Sequence, residues 1–366
     1  MERVKSWFRR QIENPQVVSL LLIVIFIASV FYFAGNSLAP AIAAIVIAYL
    51  LDGLVERLRR MGIPRVLSTH AVYLVFVATL LLGVFRLMPM LFRQFSQLAQ
   101  QVPSILAKAK ELLMALPARY PATVTEDTVS QIMSGLTAEF GRLGQTLVSY
   151  SFSSVLSLFA VVVYLILVPL LVYFMVKDKV RIIEWFAGFL PEDRQLTSTV
   201  WTEVNKQIGN YVRGKFIEIL VVGSVTFVVF KVLGLQYALL LGALTGLSVL
   251  IPYVGAAAIT VPVALVAFAQ WGIQGDFYGV VVAYLIIQAL DGNLLAPLLF
   301  SEAVNLHPVA IIVAILFFGG VWGLLGVFFA IPLATVIQAV LQAWPRSGGV
   351  LDPVPDLPEQ AGQPVA

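Results

Sequence analysis

Along most of the chain, apolar runs long enough to cross a bilayer alternate with charged or amphipathic stretches. Gln16–Ala34 is the first run, and Gly35-Asn36 turns the chain back into a second, Ser37–Val55. A loop carrying Arg57, Arg59, Arg60 and Arg65 leads to a third, Thr69–Pro89. Then the pattern changes. Leu91, Phe95, Leu98, Val102 and Ile105 keep a three-to-four spacing that predicts an amphipathic helix, stopped by Pro117 and Pro121. Val129, Ile132, Leu136, Phe140 and Leu143 predict a second one, so 91–150 reads as an outer helical hairpin. Ser154–Val176 is the fourth run. The stretch 177–215 is basic, with amphipathic stripes at Ile182, Ile183 and Phe186 and at Val200, Val204, Ile208 and Tyr211. Phe216–Leu233 and Phe277–Phe300 are the fifth and seventh runs.

The sixth and eighth runs are too long to cross once. Tyr237–Ala269 holds no charge and would be ~50 Å long as one helix, against ~30 Å of hydrocarbon. Pro252, with no amide hydrogen, breaks it, and Tyr253 and Gly255 follow. Val309–Gln342 is equally uncharged and contains Gly319, Gly320, Gly323, Gly326 and Pro332. The two runs share a grammar of apolar helix, break, glycine, short apolar piece and proline. Broken backbone inside a membrane is tolerable only against protein or a wet cavity. Paired interrupted segments of this kind point to a transport site.

The pattern predicts an all-α polytopic membrane protein of about eight transmembrane segments, two of them broken or re-entrant, with outer and inner amphipathic helices. Its regions are a cytoplasmic interfacial segment (1–15), three transmembrane helices (16–90), the extracytoplasmic hairpin (91–150) and a fourth transmembrane helix (151–176). Cytoplasmic amphipathic helices (177–215), a transport core with both broken helices (216–344) and a disordered cytoplasmic tail (345–366) complete the chain. Lys and Arg are concentrated in the N-terminal segment, the first loop and 177–215, which puts both termini on the cytoplasmic side. The N-terminal run lacks a small-x-small cleavage site and continues as a hairpin, so it is expected to be retained.

Composition removes the soluble alternatives. Hydrophobic residues make up 60% and charged ones 12%, against about 45–50% and 25% in soluble domains. Mean hydropathy is +0.94. The net charge of +3 comes from loop residues rather than one basic face, so no nucleic-acid partner is expected. Cysteine is absent, which excludes disulfide and thiolate chemistry. No His-Glu-x-x-His, Walker loop or paired Gly-Asp motif is present, so no enzyme, metal or cofactor is expected.

A few polar residues stand inside these runs. Asp291 lies about mid-membrane in the seventh, where a carboxylate must be paired, protonated or in a wet path; the competing use, with Asn293, is to cap a helix broken at Gly292. Glu218 lies one turn inside the fifth run and could equally snorkel to the headgroups. His307, before Pro308, could shuttle protons or form the turn leading into the last helix. Tyr253 and Asn293 could hydrogen-bond a polar solute, with interfacial anchoring the rival for Tyr253. The glycines at 319, 320, 323 and 326 serve close packing or a hinge. Asp52 belongs at the interface, and His70 reads as a loop residue.

Four blocks together carry a family resemblance: Pro252-Tyr253-Val254-Gly255; Asn293 with Pro297; Leu306-His307-Pro308; and Gly319-Gly320 through Gly323 and Gly326 to Pro332. Tyr211-Val212-Arg213-Gly214, with Asp178 and Pro191 upstream, adds a fifth. From about Pro15 to Trp344 the chain resembles the autoinducer-2 exporter (AI-2E) family of prokaryotic membrane transporters. Lys215 stands where members commonly have Gln, and Asp291 precedes Gly292 where an acid nearer the Asn is more usual. The resemblance implies a multi-pass protein of the prokaryotic inner membrane and a homo-oligomer, pentamers being described for the family. It implies transport, members being assigned either to autoinducer-2 export or to sodium/proton exchange; secondary export of a small polar, autoinducer-2-like solute is the expected function. Sodium(lithium)/proton antiport is the runner-up, and a non-transporting scaffold the third reading.

Overall fold

The computed structural model describes residues 37–114, 154–189, 195–252, 254–300 and 306–343, together with scattered helical positions between 22 and 29 and between 127 and 135. Every regular element among them is helical. The expected first span, most of the second half of the outer hairpin, Tyr253, Pro191 and the C-terminal tail lie outside the described residues.

Helix α1 (Ala39–Arg60) has Pro40 in its first turn, where the missing amide hydrogen costs nothing, and Arg57, Arg59 and Arg60 in its last, where cations oppose the helix dipole. Helix α2 (Arg65–Leu82) runs through a π turn, Gly83–Leu87, into α3 (Met88–Met114). The sequence suggests that the span stops at Pro89. The helix itself does not stop there: it passes through the π turn just before Pro89 and continues to Met114. His70 accordingly sits in α2, not in a loop; its Nδ1 lies 2.7 Å from the Val66 carbonyl and its Nε2 3.2 Å from the Tyr173 hydroxyl.

Helix α4 (Ser154–Lys177) packs on α1 and α2 around Ala44, Leu51, Val72, Val172 and Val176. The chain then bends by 79° at Asp178 into the short α5 (Lys179–Ala187). Trp185, Phe186 and Phe189 stay exposed there, as expected of a helix lying along the membrane surface. Lys179 pairs with Asp52 at 2.8 Å and ties α5 to α1.

Helix α6 (Gln195–Val232) is the axis of the rest. Its amphipathic stripe and the following apolar run form one uninterrupted helix that passes through 215/216 without a break. α6 packs against α7 (Ala238–Ser248), α1, α9 (Gly275–Leu290), α10 (Ala296–Phe300) and α11 (Pro308–Ala343). α7 is followed by a break and by α8 (Val254–Trp271). α11 is interrupted at Gly323, whose φ of 59° and ψ of −136° favour glycine.

Both long runs are therefore helical hairpins. In the first, α7 and α8 pack along Leu241, Val263, Val266 and Ala267, and the Gln270 amide donates to the Gly234 carbonyl at the open end. In the second, the arms Pro308–Gly323 and Gly326–Val340 pack through Ala314, Phe318 and Ala330. One detail recurs. A Cβ on Gly255 would collide with the Ser248 carbonyl, and a Cβ on Gly326 with the Phe318 carbonyl. In each hairpin the glycine past the break lets the returning arm touch the backbone of the first.

The hairpins approach α6 from opposite ends. α7 starts beside Phe230, crosses Phe227 and Gly223 with Gly242 and Gly246 in backbone contact, and ends with Val249 against Val222. The second arm of α11 runs from Ala339, beside Val200 and Val204, to Ile331 beside Tyr211. Both tips thus point towards the middle of α6. Four described helices are long and apolar enough to cross a membrane, Ala39–Arg60, Arg65–Glu111, Val254–Trp271 and Gly275–Phe300, and the bent α4–α5 pair makes a fifth.

Candidate functional site

Where the amphipathic and apolar halves of α6 join, Lys215 and Glu218 stand one turn apart on the same face. Both are buried, at 5% and 3% exposure. Lys215 Nζ donates to Glu218 Oε2 at 2.7 Å and to the Val249 carbonyl at 2.7 Å, and lies 5.2 Å from the centre of the Phe300 ring. Each contact has a local cause. In an unbroken α7 the Val249 carbonyl would accept from the amide four residues on; the break around Pro252 releases it to the site. Phe300 comes this close because residue 214 is glycine: a Cβ there would sit 2.7 Å from the ring.

Asp291 completes the group. The seventh helix is not broken at Gly292, as the capping reading required. Instead α9 passes through a π turn, Asp291–Leu295, into α10 without interruption. π turns inside helices are frequent at functional sites. This one carries Asp291 half-buried beside the Lys215–Glu218 pair, and its Oδ1 is a buried oxygen with no hydrogen-bond partner among the described residues. Lys215 attracts both carboxylates and they repel each other. If all three groups are ionised, one ammonium faces two carboxylates, leaving the group one positive charge short. Burying charge in this way costs several kcal/mol and needs a compensating cation or proton.

The other residues singled out from sequence divide clearly. Pro252 is half-buried at the first hairpin tip, and Gly255 is buried just past it. Gly323 forms the second break, with Gly326 and Pro332 buried in the returning arm. Pro332 has a defined effect: lacking an N–H, it leaves the Phe328 carbonyl without a helical donor, and the Tyr211 hydroxyl donates to that oxygen at 3.1 Å. Asn293 and His307 do not join the site. Asn293 is exposed and donates to the Ala289 carbonyl of its own helix at 2.8 Å. His307 is exposed, and its Nδ1 accepts from the Val309 amide at 3.3 Å, which makes it the turn leading into α11. Pro297 is exposed in α10. Glu218 does not snorkel; it is held inside by Lys215.

Sequence reasoning missed Lys215, Phe300 and the Val249 carbonyl. A lysine and a glutamate three apart at the start of an apolar run was the available signal for the first. The carbonyl could not be found that way, because backbone atoms leave no residue type to read. Thr226, two turns C-terminal to Glu218 on α6, is fully buried, and its hydroxyl has no partner among the described residues. A separate cavity of about 340 Å³ opens between α3, the start of α7 and the end of α8. It is lined by polar groups of Gln101, Ser104, Lys108, Gln236 and Gln270, and Lys108 reaches the Ala269 carbonyl at 3.3 Å.

Two broken helical hairpins packed against α6 near a buried charged group, in an apolar chain whose described elements are all helical, fit a polytopic membrane protein of the transporter class. The family is equally clear: residues 21–346 match the AI-2E family transporter model, and the chain belongs to that family. A relative in Escherichia coli K12 whose name describes it as the permease PerM is 44% identical over 345 residues, covering 94% of this chain and 98% of that protein. YueF of Bacillus subtilis, named as a transport protein, is 28% identical over 335 residues, covering 88% and 90%. The AI-2 transport protein TqsA of Escherichia coli K12 is 24% identical over 336 residues, covering 89% and 91%.

Proposed function

We propose that this chain is a secondary exporter of a small polar solute, of autoinducer-2-like size and polarity, and that it carries no catalytic chemistry of its own. The observation that carries the reading is the meeting of a hairpin tip with the buried Lys215–Glu218 pair on α6 and with Asp291 in the π turn beside it. The unpartnered carboxylate oxygen of Asp291 beside the break is the group a polar solute or a proton would engage. The name of TqsA supports the solute class only by kinship. With no nucleotide-hydrolysing motif in the sequence, an ion gradient is the energy source that fits.

Asp291 is the group we assign to the exchangeable proton, since it holds the one buried carboxylate oxygen of the site without a partner. Sodium(lithium)/proton antiport is the second reading, favoured by the presence of two carboxylates at one depth. The protein sits in the inner membrane with both termini cytoplasmic and works as a homo-oligomer. Exposed apolar residues on α2, α6 and α9, such as Leu74, Val228 and Ile286, suit lipid or a neighbouring copy.

The test is uptake of a labelled solute panel, autoinducer-2 included, into inverted vesicles with and without an imposed pH gradient. Accumulation of one solute that collapses with the gradient supports export. Movement of sodium or lithium against protons, with no solute accumulated, selects the antiport reading.

A further inference from the structure

The surroundings of Lys215 Nζ are those of a bound monovalent cation. Three kinds of cation ligand converge on it: a carboxylate oxygen at 2.7 Å, a backbone carbonyl at 2.7 Å and an aromatic face at 5.2 Å. All are fixed by other features of the fold. The carbonyl is released by the broken helix, the ring is admitted by Gly214, and the carboxylate is buried at 3% exposure. A salt bridge between neighbours on one helix requires none of this. It would form as well on an unbroken bundle, with no carbonyl from a hairpin tip.

We infer that Lys215 is a tethered cation filling a monovalent-cation site built from Glu218, the Val249 carbonyl and Phe300, and that removing the ammonium opens this site to sodium or lithium. The inference rests on reading this level of α6 as the transport site, but its test needs no transport. In the wild-type protein the covalent ammonium holds the hairpin tip to α6 permanently, so tip and helix do not depend on a bound ion. Lys215→Gln leaves Glu218 buried without a counter-charge, and a free cation of similar charge can then enter and restore the link between α6 and the tip. Asp291 is outside the ammonium's ligand set, so its proton exchange can proceed while the tether stays in place.

The experiment is thermal unfolding of the purified full-length protein in choline chloride and in equal concentrations of sodium, lithium or potassium chloride. Wild type is expected to unfold at the same temperature in all four. Lys215→Gln should be less stable in choline and should gain, saturably, on the order of 2 °C or more in at least one small cation. The double variant Lys215→Gln/Glu218→Gln, which removes both charges, should lose that response. If Lys215→Gln cannot be purified in choline, recovery is the reading: restoration by sodium, lithium or potassium supports the inference. Failure with every cation, while the double variant purifies, overturns it. A saturable cation response in wild type that Lys215→Gln leaves unchanged also overturns it, because the site would then lie elsewhere.

Discussion

The Tyr211 hydroxyl donates to the Phe328 carbonyl, the one oxygen of α11 that Pro332 deprives of its helical donor. The bond joins α6 to the returning arm of the second hairpin inside a packed aromatic layer, with Phe300 and Phe328 beside the Tyr211 ring. Tyr211→Phe keeps the ring but leaves a part-buried carbonyl unpaired, which costs about 1 kcal/mol or more. Pro332→Ala restores the amide four residues on and should compensate. We therefore expect Tyr211→Phe alone to lower the unfolding temperature. Adding Pro332→Ala should recover most of the loss. Equal destabilisation in the single and double variants would show that the hydroxyl does not serve that carbonyl.

The matched glycines give a second prediction. Gly255 and Gly326 each abut a carbonyl of the opposite arm of their hairpin, whereas Gly320 has open space at its Cβ position. Alanine at 255 or 326 must push two backbones apart, at a cost of about 1–3 kcal/mol typical of overpacking. Alanine at 320 should be neutral or slightly stabilising, since it replaces glycine within a helix. The check is folded yield and unfolding temperature for the three variants. A loss at 320 equal to that at 326 would show that the hairpin contact does not set the effect.

Orientation is tested independently. Reporter fusions after Arg60, Arg194 and Ser347 should score cytoplasmic, and one near Thr123 external. The basic residues of 177–215 set this arrangement, so an external signal after Arg194 would reverse the whole map.

Assembly is tested by crosslinking. The apolar faces of α2, α6 and α9 and the amphipathic stretches on both sides of the membrane offer more exposed apolar surface than a single bundle covers. Crosslinking in native membranes should give a ladder extending above the dimer. A monomer as the sole species, in membranes and in mild detergent, would remove the oligomer from the proposal.

Periodicity and proline placement carried the fold further than the site. The breaks at Pro252 and around Gly323 were legible because proline and glycine act on their own backbone, and uncharged runs that long have few other solutions. The merging of the second amphipathic stripe, from Gln195 to Lys215, with the fifth run was not legible, because a helix can pass from an amphipathic to an apolar stretch without a local signal. Nor was the straight passage through Pro89, which depends on a π turn that no residue type announces. At the site, Glu218 and Asp291 stood out as charges in apolar runs. Lys215 did not, because it falls at the end of a basic region where one more lysine is unremarkable. Its partners, a carbonyl and a ring from two other elements, exist only after the chain has folded. His307 and Asn293 lie apart from this group, and each is hydrogen-bonded to nearby backbone, His307 in the turn that is its alternative reading.

The strongest test of the site concerns Asp291. Its buried Oδ1 has no partner among the described residues, and Lys215 is already engaged by Glu218 and Val249. A carboxylate kept only for structure would be expected to carry the bonds that hold it, and replacing it by an isosteric amide would be silent or stabilising, since a buried charge is removed. A carboxylate that exchanges a proton cannot be replaced by an amide at all. Asp291→Asn should thus leave the amount of folded protein in the membrane unchanged and reduce gradient-driven transport by about tenfold or more. Pro252→Ala should reduce it as well by a different route, since restoring the amide lets α7 extend and takes the Val249 carbonyl back into the helix. The measurement is initial transport rate per folded protomer across pH. Wild-type rates for Asp291→Asn at every pH would remove Asp291 from the transport path, and with it the proton-coupled reading.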